Sequence, residues 1–196
     1  MTSDAKAGEP FVDAPGSEPA ARAADDAREH APRTLPELMA LAFAMESEAA
    51  GRYAELADAM EMHNNVDVAR LFRKMAGIET GHAQAIMQEM GWREAPGHVA
   101  WDAELLEGPE TPLAEDIHYL MQPYHALEIA LACEERAERF FERLARLADV
   151  DSVRAAARAM QAEEQEHVAL IRAWMAKVEK PADNWSDDPD PPRYTD

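Results

Sequence analysis

Four stretches of this chain carry an apolar stripe at helical spacing, and each stripe is broken near its centre by glutamate, or by glutamate and histidine. Steps of three and four residues trace one face of an α-helix. In the first stretch they connect Met39, Ala42, Glu46, Ala49, Tyr53, Leu56 and Met60. In the third they connect Leu127, Ala130, Glu134, Ala137, Phe141, Leu144 and Ala148. The second runs through Val68, Phe72, Met75, Glu79, His82, Ile86 and Met90, and the fourth through Val153, Ala157, Met160, Glu164, His167, Ile171, Trp174 and Val178. Such a chain must bury four helical faces against one another. It must also find partners for the carboxylates trapped by that burial.

The helix signals delimit these stretches. Thr34-Leu35-Pro36-Glu37 reads as a capping box with proline in the first turn, opening a helix that runs to about Met62. Asn65 is the expected N-cap of the second helix, which stops near Met90 with Gly91 as its C′ residue. The third runs from Pro123 to about Ala148, and the fourth from Asp151-Ser152 to about Lys180. Short turns make two antiparallel hairpins, joined by a long crossover from Trp92 to Gln122 in which a short helix over Leu113–Met121 is expected. Residues 1–33 lack a sustained apolar period and are read as a disordered segment. Residues 34–180 form the body. Residues 181–196 read as an acidic, Pro-rich tail, floppy despite its two aromatics, Trp185 and Tyr194.

The hairpins repeat one another. Leu41 to Ala49 around Glu46 resembles Ile129 to Ala137 around Glu134, and Tyr53 answers Phe141. Met75, Glu79 and His82 answer Met160, Glu164 and His167. A pseudo-twofold axis would then set like against like. Two hairpins and one long crossover give an all-α, ferritin-like four-helix bundle.

A lone buried carboxylate costs several kcal/mol even after relaxation, and four in one core also repel. Two divalent metals would balance four carboxylates and leave the histidines neutral. Glu and His at i and i+3 reach the same level of a helix. Carboxylate and imidazole suit iron(II) and manganese(II), and the lack of thiolates argues against structural zinc. Metals about 4 Å apart need bridging carboxylates. Glu79 and Glu164, each beside its own histidine, are the natural bridges, with Glu46 and Glu134 as terminal ligands. A bundle with a metal-free polar layer is the competing reading. A third Glu-x-x-His, Glu115 to His118, lies in the crossover without a repeat partner and is set aside; His63, His98 and His125 receive no role. Tyr53, two turns from Glu46, could donate a hydrogen bond to a ligand carboxylate or simply pack.

Composition excludes several classes of function. The formal net charge of −20 opposes nucleic acid and anionic lipid. No apolar run approaches the roughly 20 residues of a membrane span. The first residues lack a secretory h-region, which makes the cytoplasm the expected address. Cys133, the single cysteine, is expected to be an inert buried thiol.

Glu46-Ser47-Glu48-Ala49 with Tyr53, and Glu79-Thr80-Gly81-His82, resemble the rubrerythrin branch of the ferritin-like superfamily. The resemblance implies a non-haem di-iron centre (manganese being the other candidate metal) that reacts with peroxide or dioxygen. Rubrerythrins typically append a rubredoxin domain with paired Cys-x-x-Cys, so here electrons would come from another protein. Many also carry an extra glutamate one turn after the third-helix ligand. That position is Ala137 here, and neighbouring Glu138 is expected on the solvated face. Three functions compete: an oxidoreductase of peroxidase or ferroxidase type, an iron-binding protein for sequestration or delivery without turnover, and a non-catalytic interaction module. The oligomeric state stays open, a homodimer included.

Overall fold

A computed structural model describes residues 31–97 and 118–186. Their helices are α1 (Leu35–Met62), α2 (Val66–Glu89), α3 (Pro123–Leu147) and α4 (Asp151–Met175). α1 packs along α2 and α3 along α4, while α2 against α3 and α1 against α4 close the bundle. This is the all-α, ferritin-like arrangement that the repeat implies.

The caps explain where the helices begin and end. Glu37 N–H donates to Thr34 Oγ1 at 3.3 Å, and Thr34 N–H donates back to Glu37 Oε2 at 3.2 Å, completing the capping box of α1. α1 ends with Asn64 at φ 57°, a left-handed conformation that asparagine tolerates better than most residues. Asn65 N–H then donates to Met60 O and Asn64 N–H to Glu61 O, which satisfies the last carbonyls. α2 ends in the same way: Gly91 has φ 65°, Trp92 N–H reaches Met87 O, and Gly91 N–H reaches Gln88 O.

Four expectations are corrected. Asn65 makes no side-chain cap; its Nδ2 donates instead to Met121 O at 2.5 Å, tying the first hairpin to the end of the crossover. Residues 118–121 form a turn rather than the end of a helix, and the rest of the expected 113–121 helix lies outside the described residues. α4 stops at Met175, short of Lys180, because the chain tightens into i→i+3 turns, Lys177 N–H to Trp174 O and Val178 N–H to Met175 O. Residues 181–186 do not hang free. Trp185 packs on the bundle, its ring 3.8 Å from that of His125, with His118 edge-on at 5.4 Å. Tyr194 lies outside the described residues, as do residues 1–30. Ala31 already belongs to the core.

The core is split into two apolar layers. One gathers Leu38, Met45, Phe140, Phe141, Leu144 and Met160, the other Tyr53, Met60, Phe72, Met75, Leu127 and Ile171. Surface contacts then hold each hairpin. Arg73 of α2 reaches Asp58, Glu61 and the Ala54 carbonyl of α1, and Arg172 of α4 reaches Glu135 of α3 at 2.7 Å.

Gly51, Gly77 and Gly81 sit inside helices on exposed faces, where an added Cβ would meet nothing within 4 Å. Alanine at each should stabilise the protein by about 0.5–1 kcal/mol through the smaller backbone entropy loss. Thermal melts of the single variants check this; a loss of stability at any one would show that its face is used by something that needs the missing side chain.

Candidate metal centre

Between the two apolar layers lies a polar one. Glu46 of α1, Glu79 of α2, Glu134 of α3 and Glu164 of α4 are 1–2 % exposed, the described charged residues buried most deeply. Each hairpin contributes one cluster. Glu46, Glu79 and His82 each bring a ligand atom within 4.8 Å of the others, and Glu134, Glu164 and His167 do the same. The six residues singled out from the sequence thus fall into two groups of three, one from each hairpin.

The histidines turn Nδ1 inward. His82 Nδ1 lies 3.3 Å from Glu79 Oε2 and 3.5 Å from Glu46 Oε2. His167 Nδ1 lies 3.1 Å from Glu164 Oε2 and 3.3 Å from Glu134 Oε2. The two rings stack across the bundle, centroids 4.6 Å apart and planes at 8°. That is the facing of like against like implied by the repeat.

The electrostatics show what the layer lacks. Burial pushes the Glu46 carboxyl well above its ordinary range; His82 pulls it back, and Glu79 and Glu164 push it further. Burial likewise raises Glu134; His167 opposes, and Glu79 and Glu164 again add to the rise. Hydrogen bonds to Glu46 and Glu79 raise His82 to about 10 despite burial. Burial pulls His167 down, but Glu134 and Glu164 outweigh it and bring the imidazole to about 11. Without metal, protons supply the positive charge that four crowded carboxylates demand. They do so incompletely. Glu79 Oε1 is buried without a hydrogen-bond partner, and Glu46 Oε2 has only the long approach of His82. Hard oxygen donors, inward imidazole nitrogens and orphaned carboxylate oxygens together fit a pair of divalent cations.

The same shifts predict a pH dependence. All four groups hold their protons more tightly folded than unfolded, so the folded metal-free protein binds more protons and its stability falls as pH rises. The histidine contribution is complete below the unfolded value near 6.5 and is lost through about 10 and 11. The raised carboxyls act in the same direction. Melting temperatures of metal-free protein should decline from pH 6 to pH 10; a rise over that range would contradict the assignment.

Other sequence candidates fall outside the clusters. Tyr53 is fully buried and stacks on Phe72, centroids 6.1 Å apart. Glu138 accepts from Gln165 Nε2 at 2.8 Å on the exposed face, as expected beside Ala137. His118 Nδ1 accepts from Leu120 N–H, and His125 Nδ1 from Gln122 N–H at the start of α3. His63 caps α1. Glu115 and His98 lie outside the described residues. Cys133 is buried, with Arg136 Nη2 3.2 Å from its sulfur, a contact that apolar periodicity does not reveal.

The family profile described as Rubrerythrin matches residues 37–104 and 125–194, and so both hairpins. Among solved structures, an uncharacterized conserved protein from Magnetospirillum magnetotacticum MS-1 is similar at 39% sequence identity, with a TM-score of 0.58. The match covers 76% of this chain and 98% of that one. No curated protein matches the chain.

Proposed function

The chain belongs to the rubrerythrin family, and from that premise we propose that it is a non-haem di-iron oxidoreductase that oxidises iron(II) with peroxide or dioxygen. The observation that carries this reading is the pair of buried Glu-Glu-His clusters facing each other between two apolar layers. Bound iron would supply the electron transfer to peroxide or dioxygen. Glu46, Glu79, His82, Glu134, Glu164 and His167 would hold the pair. The layers around Phe141 and Phe72 would keep bulk water from the carboxylates, so that charge stays with the metals rather than with solvent. With its single cysteine, the chain offers no paired thiolates for an internal electron relay, so an external donor protein would restore iron(II). No described helix is long and apolar enough to cross a membrane.

Iron sequestration or delivery without turnover is the second reading. Ala137 favours it: this fully buried residue stands one turn after Glu134, where the resemblance to rubrerythrins would lead one to expect an additional carboxylate. Anaerobic loading with iron(II) followed by peroxide, watched by absorbance, separates the two. Repeated fast cycles in the presence of a reductant are expected for the oxidoreductase; one slow oxidation without renewal would favour the store. Metal analysis should approach two equivalents per chain, and His118→Ala should leave that number unchanged. A protein that takes up neither iron(II) nor manganese(II) would remove the metal assignment altogether.

A further inference from the structure

The two halves of the cluster are matched in residue type but not in setting. The His82 side chain is 28% exposed and that of His167 16%, whereas the four carboxylates are sealed. Solvent therefore meets the cluster along the stacked imidazoles, and meets the His82 half more. Contacts are also looser there. His82 lies 3.3 and 3.5 Å from its carboxylates, against 3.1 and 3.3 Å for His167. Both orphaned carboxylate oxygens, Glu46 Oε2 and Glu79 Oε1, belong to the same half. A third carboxylate stands near this opening. Glu163 is exposed and stands one turn before His167 on the same face of α4, which sets its carboxylate beside the ring that stacks on His82.

We propose that the cluster opens to solvent through the His82–His167 ring pair with Glu163 at its rim, and that the Glu46–Glu79–His82 half exchanges its metal while the Glu134–Glu164–His167 half retains it. The proposal rests on the di-metal reading above. Exchange needs water or a competing ligand to reach the ion and the ligand arms to swing away. Exposure of His82 provides the first. The second falls to Glu46, an edge ligand whose contact with His82, at 3.5 Å, is the longest of the four between carboxylate and imidazole, while Glu79, shared by the two halves, would stay in place. The opposite half is more enclosed and more tightly contacted, so its ion dissociates only when the bundle itself loosens. At the rim, the Glu163 charge attracts cations approaching the imidazoles and raises their local concentration. A protein with one exchangeable and one retained ion is built to pass metal through one position while the other keeps the carboxylate layer neutralised.

The test follows metal release. Full-length protein is loaded anaerobically with two equivalents of manganese(II) and mixed with excess chelator. Two phases of one equivalent each are expected, separated by roughly tenfold or more in rate, the scale on which the contacts that support metal ligands change affinity. His82→Ala should abolish the fast phase and leave one slowly released ion; His167→Ala should abolish the slow one. Should either variant fold poorly, anomalous scattering from crystals of wild-type protein stripped through the fast phase locates the retained ion directly, expected beside Glu134 and His167. Glu163→Gln should slow uptake by roughly threefold at low salt, and less at high salt, with stoichiometry kept at two. Release of both ions in one phase, retention beside His82, or uptake indifferent to Glu163 at low salt would overturn the proposal. Failure of wild-type protein to bind manganese(II) or iron(II) would instead overturn the di-metal reading beneath it.

Discussion

Glu79→Ala and Glu164→Ala are expected to strip the protein of both metals, whereas Glu46→Ala and Glu134→Ala should chiefly weaken one. The asymmetry follows from position. Glu79 and Glu164 each act electrostatically on Glu46 of one hairpin and on Glu134 of the other, as carboxylates shared between the two halves would. A carboxylate in the middle can touch both ions; one at the edge serves one. Loss of a single supporting contact typically costs about 10- to 100-fold in metal affinity, and loss of a bridge should cost more than that. His82→Ala and His167→Ala should resemble the edge carboxylates. The metal-free variants should remain helical by circular dichroism, since the apolar layers on either side are untouched and removing a buried carboxylate relieves repulsion. Anaerobic titration with iron(II) or manganese(II) measures the stoichiometry of each. Equal losses at all six positions would remove the bridging roles while keeping the site.

Phe141→Ala should destabilise the metal-free protein by about 3–5 kcal/mol, the usual cost of emptying a buried aromatic site. Phe141 is fully buried and meets Phe140 edge-on, centroids 5.3 Å apart, in the layer that also holds Leu38, Leu144 and Met160. A domain has only about 5–15 kcal/mol in total, so this single change removes a large share. The consequence reaches the metal centre, because Phe141 lies two turns beyond Glu134 on α3 and anchors that helix against its neighbours. Urea denaturation of metal-free protein measures the loss. A cost under about 1 kcal/mol would mean that the layer collapses around the gap and does not hold α3 in place.

Much of this was legible in advance. Glu46, Glu79, Glu134 and Glu164 interrupt apolar stripes, and helical periodicity suffices to infer that they face one another. The capping box at Thr34 and the left-handed Gly91 were also readable, because caps are made by residues close in sequence. Asn65 shows the limit of that logic. Its type and place announce an N-cap, yet its amide is drawn to Met121 O, a partner 56 residues away. Trp185 is the same case: composition around it speaks of a solvated tail, and only the surface offered by His125 and His118 gives it a place to pack.

Spacing along helices of known pitch was enough to read the four-helix architecture, the pseudo-symmetry of the hairpins and the six residues of the polar layer. Tertiary structure alone decided the stacking of His82 on His167, the greater exposure of the His82 half, the nearness of Glu163 and the docking of Trp185. These depend on how two hairpins separated by a long crossover approach each other. A repeat makes the halves alike in chemistry; the packing of different neighbours around each half makes them unlike in access to solvent.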